Sequence, residues 1–127
     1  MANLLLGTRK GLIVYHKESD EWKHQATHFL GIPVSLTLVD ERTHTWWACL
    51  DHGHWGCKLH RSEDRGETWE EVEAPKFAEG MEMKAGVPAT VKYLWAFAHG
   101  GLDKPGVLYL GTDPGALFRS SDNGNSW

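Results

Sequence analysis

Only two cysteines, Cys49 and Cys57, stand among 127 residues, so no disulfide framework can carry this fold. They would flank the turn "HGHW" on neighbouring strands. If Asp51 pairs with Gly56, then Cys57 falls opposite Leu50 and faces away from Cys49, whereas a slip of one residue would set them side by side. Free thiols and a reducing, cytoplasmic home are the expectation. Positive charge is also scarce. Thirteen Lys and Arg against 17 Asp and Glu leave a net charge of −4, which offers nucleic acid no basic patch and a membrane no cationic face. No apolar run approaches the roughly 20 residues that span a bilayer. The opening "MANLLLGTRK" lacks a charged n-region and does not read as a secretory signal. Helical periodicity is missing too, and 85–92 is interrupted by Gly86 and Pro88. No cofactor is expected.

What remains is a series of short strand-like runs punctuated by glycine. "NLLLGT" leads through "RKG" to "GLIVYH"; "VSLTLVD" is followed by "HTWWACLD", "GCKLHRS" and "WEEVEA"; "VKYLWAFA" is followed by "VLYLGT" and "ALFRSS". Many short strands with regular turn signals predict an all-β protein. Seven Trp is a high count, and each asks for a packed slot with a partner for its indole N–H.

The runs repeat. "RSEDRGETW" at 61–69 returns as "RSSDNGNSW" at 119–127, 58 residues later at every matched position. "LLLGTRKGLIVY" at 4–15 returns as "LYLGTDPGALFR" at 108–119, with Gly7, Thr8 and Gly11 on Gly111, Thr112 and Gly115. Such a period marks stacked supersecondary units. Three units follow, at 3–28, 34–74 and 91–127, each a meander of up to four strands, A to D. The first lacks strand A, and the third stops at Trp127 where its strand D would begin. In the repeated phrase, Asp64 and Asp122 would accept hydrogen bonds from their own turns. Gly66 and Gly124 would supply positive φ, and the closing Trp would wedge between units.

These residues resemble a known motif. Ser62, Asp64, Gly66, Thr68 and Trp69, and again Ser120, Asp122, Gly124, Ser126 and Trp127, match the Asp-box, or bacterial neuraminidase repeat, of sialidases and sortilin-type receptors. The wider wording is similar to a bacterial family of sialidase-like, BNR or WD40/YVTN-like repeat proteins, along its N-terminal third. The resemblance implies a β-propeller, of which about two and a half blades are present here. Six or seven blades at this repeat length need roughly 350–400 residues. It also implies that the boxes are structural and lie on the edge away from any active site. Arg61 and Arg119, directly before the boxes, belong to the same scaffold phrase.

In an up-and-down meander, A–B and C–D turns share one edge of the sheet, and B–C turns and D–A connections share the other. The edge opposite the boxes therefore gathers "TRKG" at 8–11, 27–33, "DHGHWG" at 51–56, 75–88 and "TDPG" at 112–115. Its candidate ligand-binding residues are Arg9, Lys10, Asp51, His52, His54, Trp55 and Asp113. Arg9 and Lys10 suit an anion, and Trp55 suits a sugar ring or packing beneath its loop. His52 reads as an acid or base or as a turn cap. Asp51, His52 and His54 could hold a metal only with a third ligand such as Asp113 or His28. The sialidase activity implied by the family can be tested on residues. Its F/Y-R-I-P motif is matched by Phe29, Ile32 and Pro33, but Leu30–Gly31 stands where the Arg belongs, and no carboxylate pair can be assigned. Catalytic residues are therefore unknown. The expected function is a scaffold that binds a carbohydrate, another small polar ligand or a protein partner, with self-association or membership of a larger ring. The alternative is a sialidase-like glycoside hydrolase completed by residues outside this chain.

Overall fold

The computed structural model describes residues 2–127. Twelve strands form three antiparallel meanders and one small hairpin. β1 (Asn3–Thr8), β2 (Gly11–Glu18) and β3 (Glu21–His28) make the first sheet. β4 (Val34–Asp40), β5 (Thr45–Asp51), β6 (Cys57–Ser62) and β7 (Glu70–Val72) make the second. β10 (Tyr93–His99), β11 (Leu108–Asp113) and β12 (Ala116–Ser120) make the third. The connection at 75–88, expected to be loop, contains the extra hairpin β8 (Glu82–Lys84) and β9 (Val87–Pro88). Among the described residues no helix is long and apolar enough to cross a membrane.

β5, "TWWACLD", is buried from Thr45 to Leu50, and period-two alternation sends its side chains both ways. Trp46, Ala48 and Leu50 meet Leu5, Leu12 and Val14 of the first sheet. Trp47 and Cys49 join Leu59 in meeting Leu94, Leu108 and Leu110 of the third. The second sheet is therefore filled on both faces, and the first and third each use one. Three indoles that call for an acceptor find none among the described residues: Nε1 of Trp47, Trp69 and Trp127 is buried without a hydrogen-bond partner there. Burying an indole is worth about 4–6 kcal/mol by area, against about 1–3 kcal/mol for a hydrogen bond left unmade. Packing wins.

The cysteine register differs from expectation by one residue. Asp51, not Leu50, lies opposite Cys57, and Cys49 lies opposite Leu59. The thiols therefore share a face one diagonal step apart, and both are free.

The repeated phrases fold into the same turn. Ser62 Oγ donates to Asp64 Oδ1 at 2.7 Å and accepts from the Gly66 N–H at 2.8 Å, while the Thr68 N–H donates to Asp64 Oδ1 at 2.8 Å. Ser120, Asp122, Gly124 and Ser126 repeat this at 2.7, 2.8 and 2.9 Å. The Thr68 hydroxyl, its N–H and Ser62 hold the Asp64 carboxyl down at about 2, and the Ser126 hydroxyl, Ser120 and the Ser126 N–H do the same for Asp122. Gly124, at φ 83°, lies so close under Trp47 that a Cβ there would sit 2.4 Å from the indole Cη2.

This edge is also where the sheets are tied together. Arg61 donates to Glu70 at 2.6 Å, and across the sheet gap to the Asn123 carbonyl at 3.1 Å and Asn125 Oδ1 at 2.9 Å. Arg65 donates to Asn3 Oδ1 at 2.6 Å. The strongest tie had no signature in the sequence. Arg42, in the β4–β5 turn, grips the buried Asp40 bidentately at 2.8 and 2.7 Å. Its remaining donors reach the carbonyls of Gly101 and Lys104 at 2.7 Å each and Val107 at 3.1 Å, all in the β10–β11 loop. Burial pushes the Asp40 carboxyl up, but the Arg42 hydrogen bonds and charge outweigh it, so Asp40 stays below the usual carboxylate range.

Two substitutions test these contacts by urea denaturation. Arg42→Ala strands the Asp40 carboxylate and should cost about 3–5 kcal/mol. Gly124→Ala should cost about 1–3 kcal/mol through overpacking and positive φ; an unchanged midpoint in either case would contradict the assigned contact.

Candidate functional site

The edge opposite the repeated turns is built from five connections stitched by backbone hydrogen bonds. Gly31 N–H donates to Lys10 O at 2.9 Å, Asp51 N–H to Pro33 O at 2.9 Å, and Lys92 N–H to Asp113 O at 2.8 Å. Thr8 and Thr112 brace their turns alike, each hydroxyl donating at 2.8 Å to a carbonyl, of Gly11 and of Pro114 respectively. A rigid rim results, with exposed side chains above it.

Most of the sequence-chosen residues lie on this rim. Arg9 and Lys10 are exposed on the β1–β2 turn. Gly53–Trp55 forms a single 3-10 turn, with the His52 N–H donating to Gly56 O at 2.9 Å. His54 and Trp55 meet edge to face with ring centres 5.4 Å apart, and Trp55 is 70% exposed. It does not pack beneath its loop. Asp51 is half-buried and Asp113 exposed.

The metal alternative is not supported by the geometry. Among the described residues no three His, Cys, Asp or Glu side chains come together as ligands would. His28 lies instead in an aromatic cluster between the first two sheets. Its ring centre is 5.8 Å from Trp69, which is 5.4 Å from Phe29, which is 4.8 Å from His60. His28 Nε2, His60 Nδ1 and Trp69 Nε1 are all buried without a protein partner. Desolvation holds both imidazoles below their ordinary value near 6.5. His60 was not legible as a participant, because the ring it meets, Phe29, follows β3 and is far away in sequence.

The sequence also understated the apolar content of the rim. Leu30 is exposed there along with Trp55, and Met81, Met83 and Val87 are exposed on and beside the β8–β9 hairpin. A groove of about 390 Å³ runs between Cys57, Ala74 and Phe77 on one side and Ala89, Thr90 and Val91 on the other. The Cys57 thiol donates to Val91 O at 3.4 Å, and burial pushes its pKa up, which favours the neutral thiol.

The histidine cluster generates a pH dependence with a definite sign. Both imidazoles resist protonation in the folded state, so below about pH 6.5 the unfolded chain binds protons first. Stability should fall as pH drops from 7.5 towards 5.5. Paired His28→Phe and His60→Phe substitutions should flatten that slope in denaturation midpoints measured at the two pH values. An unchanged slope would remove the cluster as its source.

Compared with known proteins, the chain matches no family model and no curated protein. It does match a solved structure, that of YCF48 bound to D1 peptide, with a TM-score of 0.56 and 14% identity over 96% of this chain and 33% of that one. The chain thus spans about a third of that structure's length. Identity this low speaks for the fold alone: three successive antiparallel sheets in the arrangement of a β-propeller.

Proposed function

We propose that this chain is part of an Asp-box β-propeller and works as a scaffold that binds a peptide or protein partner on the rim opposite the boxes. One observation carries this reading. The rim carries the exposed apolar side chains Leu30 and Trp55 with the cations Arg9 and Lys10, the β8–β9 hairpin adds exposed Met81, Met83 and Val87, and an open groove of about 390 Å³ lies between Phe77 and Val91. Exposed aromatic and Met side chains over a rigid backbone are what protein interfaces use. The likeness in fold to a protein whose structure holds a peptide supports the same reading.

On this reading Trp55 is the anchor and Arg9 and Lys10 attract a carboxylate-bearing segment. The repeated Asp turns hold the opposite edge closed. The hydrolase alternative gains nothing from the geometry. Leu30 and Gly31 stand where an Arg would be needed, and Phe29 and Ile32 pack into the first core.

The test is selection of a phage-displayed library of random 12-residue peptides against the 127-residue chain, with a glycan array run in parallel. Convergent peptides rich in apolar and acidic residues are expected. Trp55→Ala should weaken them at least about tenfold, and Arg9→Ala should weaken them more at low salt than at high salt, with far-UV circular dichroism unchanged. Glycan binding without peptide binding would replace this reading with a carbohydrate-binding one.

A further inference from the structure

The two repeated turns differ in the residue after the Asp, which is Arg65 in the first and Asn123 in the second. Both are left-handed, at φ 59° and 55°. Asn tolerates that conformation, whereas for Arg it costs stability. Each side chain reaches back to the preceding sheet. Asn123 Nδ2 donates to Thr45 Oγ1 at 3.2 Å, and Arg65 donates to Asn3 Oδ1 at 2.6 Å. The Asn123 contact is closed, with Thr45 fully buried. At Arg65 a cleft of about 480 Å³ opens instead, lined by Asn3, His16, Gln25 and Arg65. Its far wall is the β2–β3 hairpin, whose strands continue to Glu18 and Glu21 rather than closing in a repeated turn. A second irregularity aims at the same cleft. Val14 pairs with Ala26 and Tyr15 with His24, so Gln25 is the extra residue of a β-bulge, a device that re-aims a side chain. Gln25 Oε1 accepts from Asn3 Nδ2 at 3.4 Å. His16 Nδ1 is buried without a partner among the described residues.

We propose that this cleft binds the carboxylate of a small monoanionic molecule, with Arg65 supplying the charge and Gln25 Nε2 and His16 Nδ1 the flanking donors. The site is independent of what the rim binds. Its lining offers guanidinium, amide and imidazole donors and, among the described residues, no carboxylate. The guanidinium, held 5.9 Å over the Trp46 ring, presents a planar fork that matches a carboxylate with parallel N–H donors. Charge restricts the ligand to a single negative one. Arg65 is the one Arg or Lys in the described lining, and Glu18 Oε2 lies 3.7 Å from His16 Nε2, where it repels a second negative charge. The volume accommodates a small organic acid and not merely a bare ion. Backbone strain at Arg65 and a bulge at Gln25 are local departures from regular structure, and both converge on this one place, as strain held for a binding site does. The donors come from β2, β3 and the turn after β6, with Asn3 hydrogen-bonded towards them. The cleft therefore belongs to the junction of the first and second sheets, not to an outer face.

The experiment is an NMR titration of the isotope-labelled 127-residue chain with benzoate, with acetate, and with inorganic phosphate at matched ionic strength. Saturable shifts centred on Asn3, His16, Gln25 and the Arg65 side chain are expected for benzoate, at a Kd of about 1 mM, with weaker binding of acetate. Arg65→Asn installs the residue that the second turn carries at this position. It should therefore keep the fold and the circular dichroism spectrum while weakening benzoate at least about tenfold. Gln25→Leu should weaken benzoate several-fold. The proposal is overturned if no saturable shift appears, or if shifts are confined to Arg9 and Lys10. Phosphate binding at these residues more tightly than either carboxylate would overturn it too, as would a folded Arg65→Asn chain that binds benzoate undiminished.

Discussion

The structure depends on a strand buried on both faces. A sheet exposes one face cheaply only if that face is polar, and β5 has no polar face to offer. Trp46, Ala48 and Leu50 point one way and Trp47 and Cys49 the other. Two further sheets must therefore flank it. Each of those sheets in turn carries a second row of apolar positions, because all three are copies of one unit.

Burial explains that the sheets stack, but not the offset at which they do so. Offset is set at one edge, by polar contacts that reach between units. Arg42 reads three carbonyls of the next unit's loop, Arg61 reads the next repeated turn, and Arg65 reads back to Asn3. The Asp turns make this possible. By satisfying their own N–H groups internally they stay tight, and their glycines let the tryptophan rings of β5 come within contact distance. The other edge is braced mainly by backbone hydrogen bonds, which leaves its side chains free. Rigidity on one side and available side chains on the other suit a binding surface held by a scaffold.

Much of this was readable in the chain. The alternation of "TWWACLD", the Thr–Gly turns and the 58-residue recurrence all reflect local rules, acting over a few residues, and they imply antiparallel meanders with two distinct edges. The rim candidates followed from topology alone, and Arg9, Lys10, His52, His54, Trp55 and Asp113 stand on it. His28 was misplaced because its environment comes from β6 and the segment before β7. The hairpin at 82–88 was missed because strands of two and three residues carry too little pattern to be distinguished from loop.

Strand class and turn chemistry are legible in the chain, since these rest on neighbours close in sequence. The fold, in turn, sets the buried clasp of Arg42 on Asp40 and the β10–β11 loop, the cluster of His28 with His60, and the diagonal placement of Cys57 against Cys49. The grip of Arg42 on the β10–β11 loop and the histidine cluster depend on residues that the chain separates and the packing of sheets brings together, while the cysteine placement depends on the register of one hairpin.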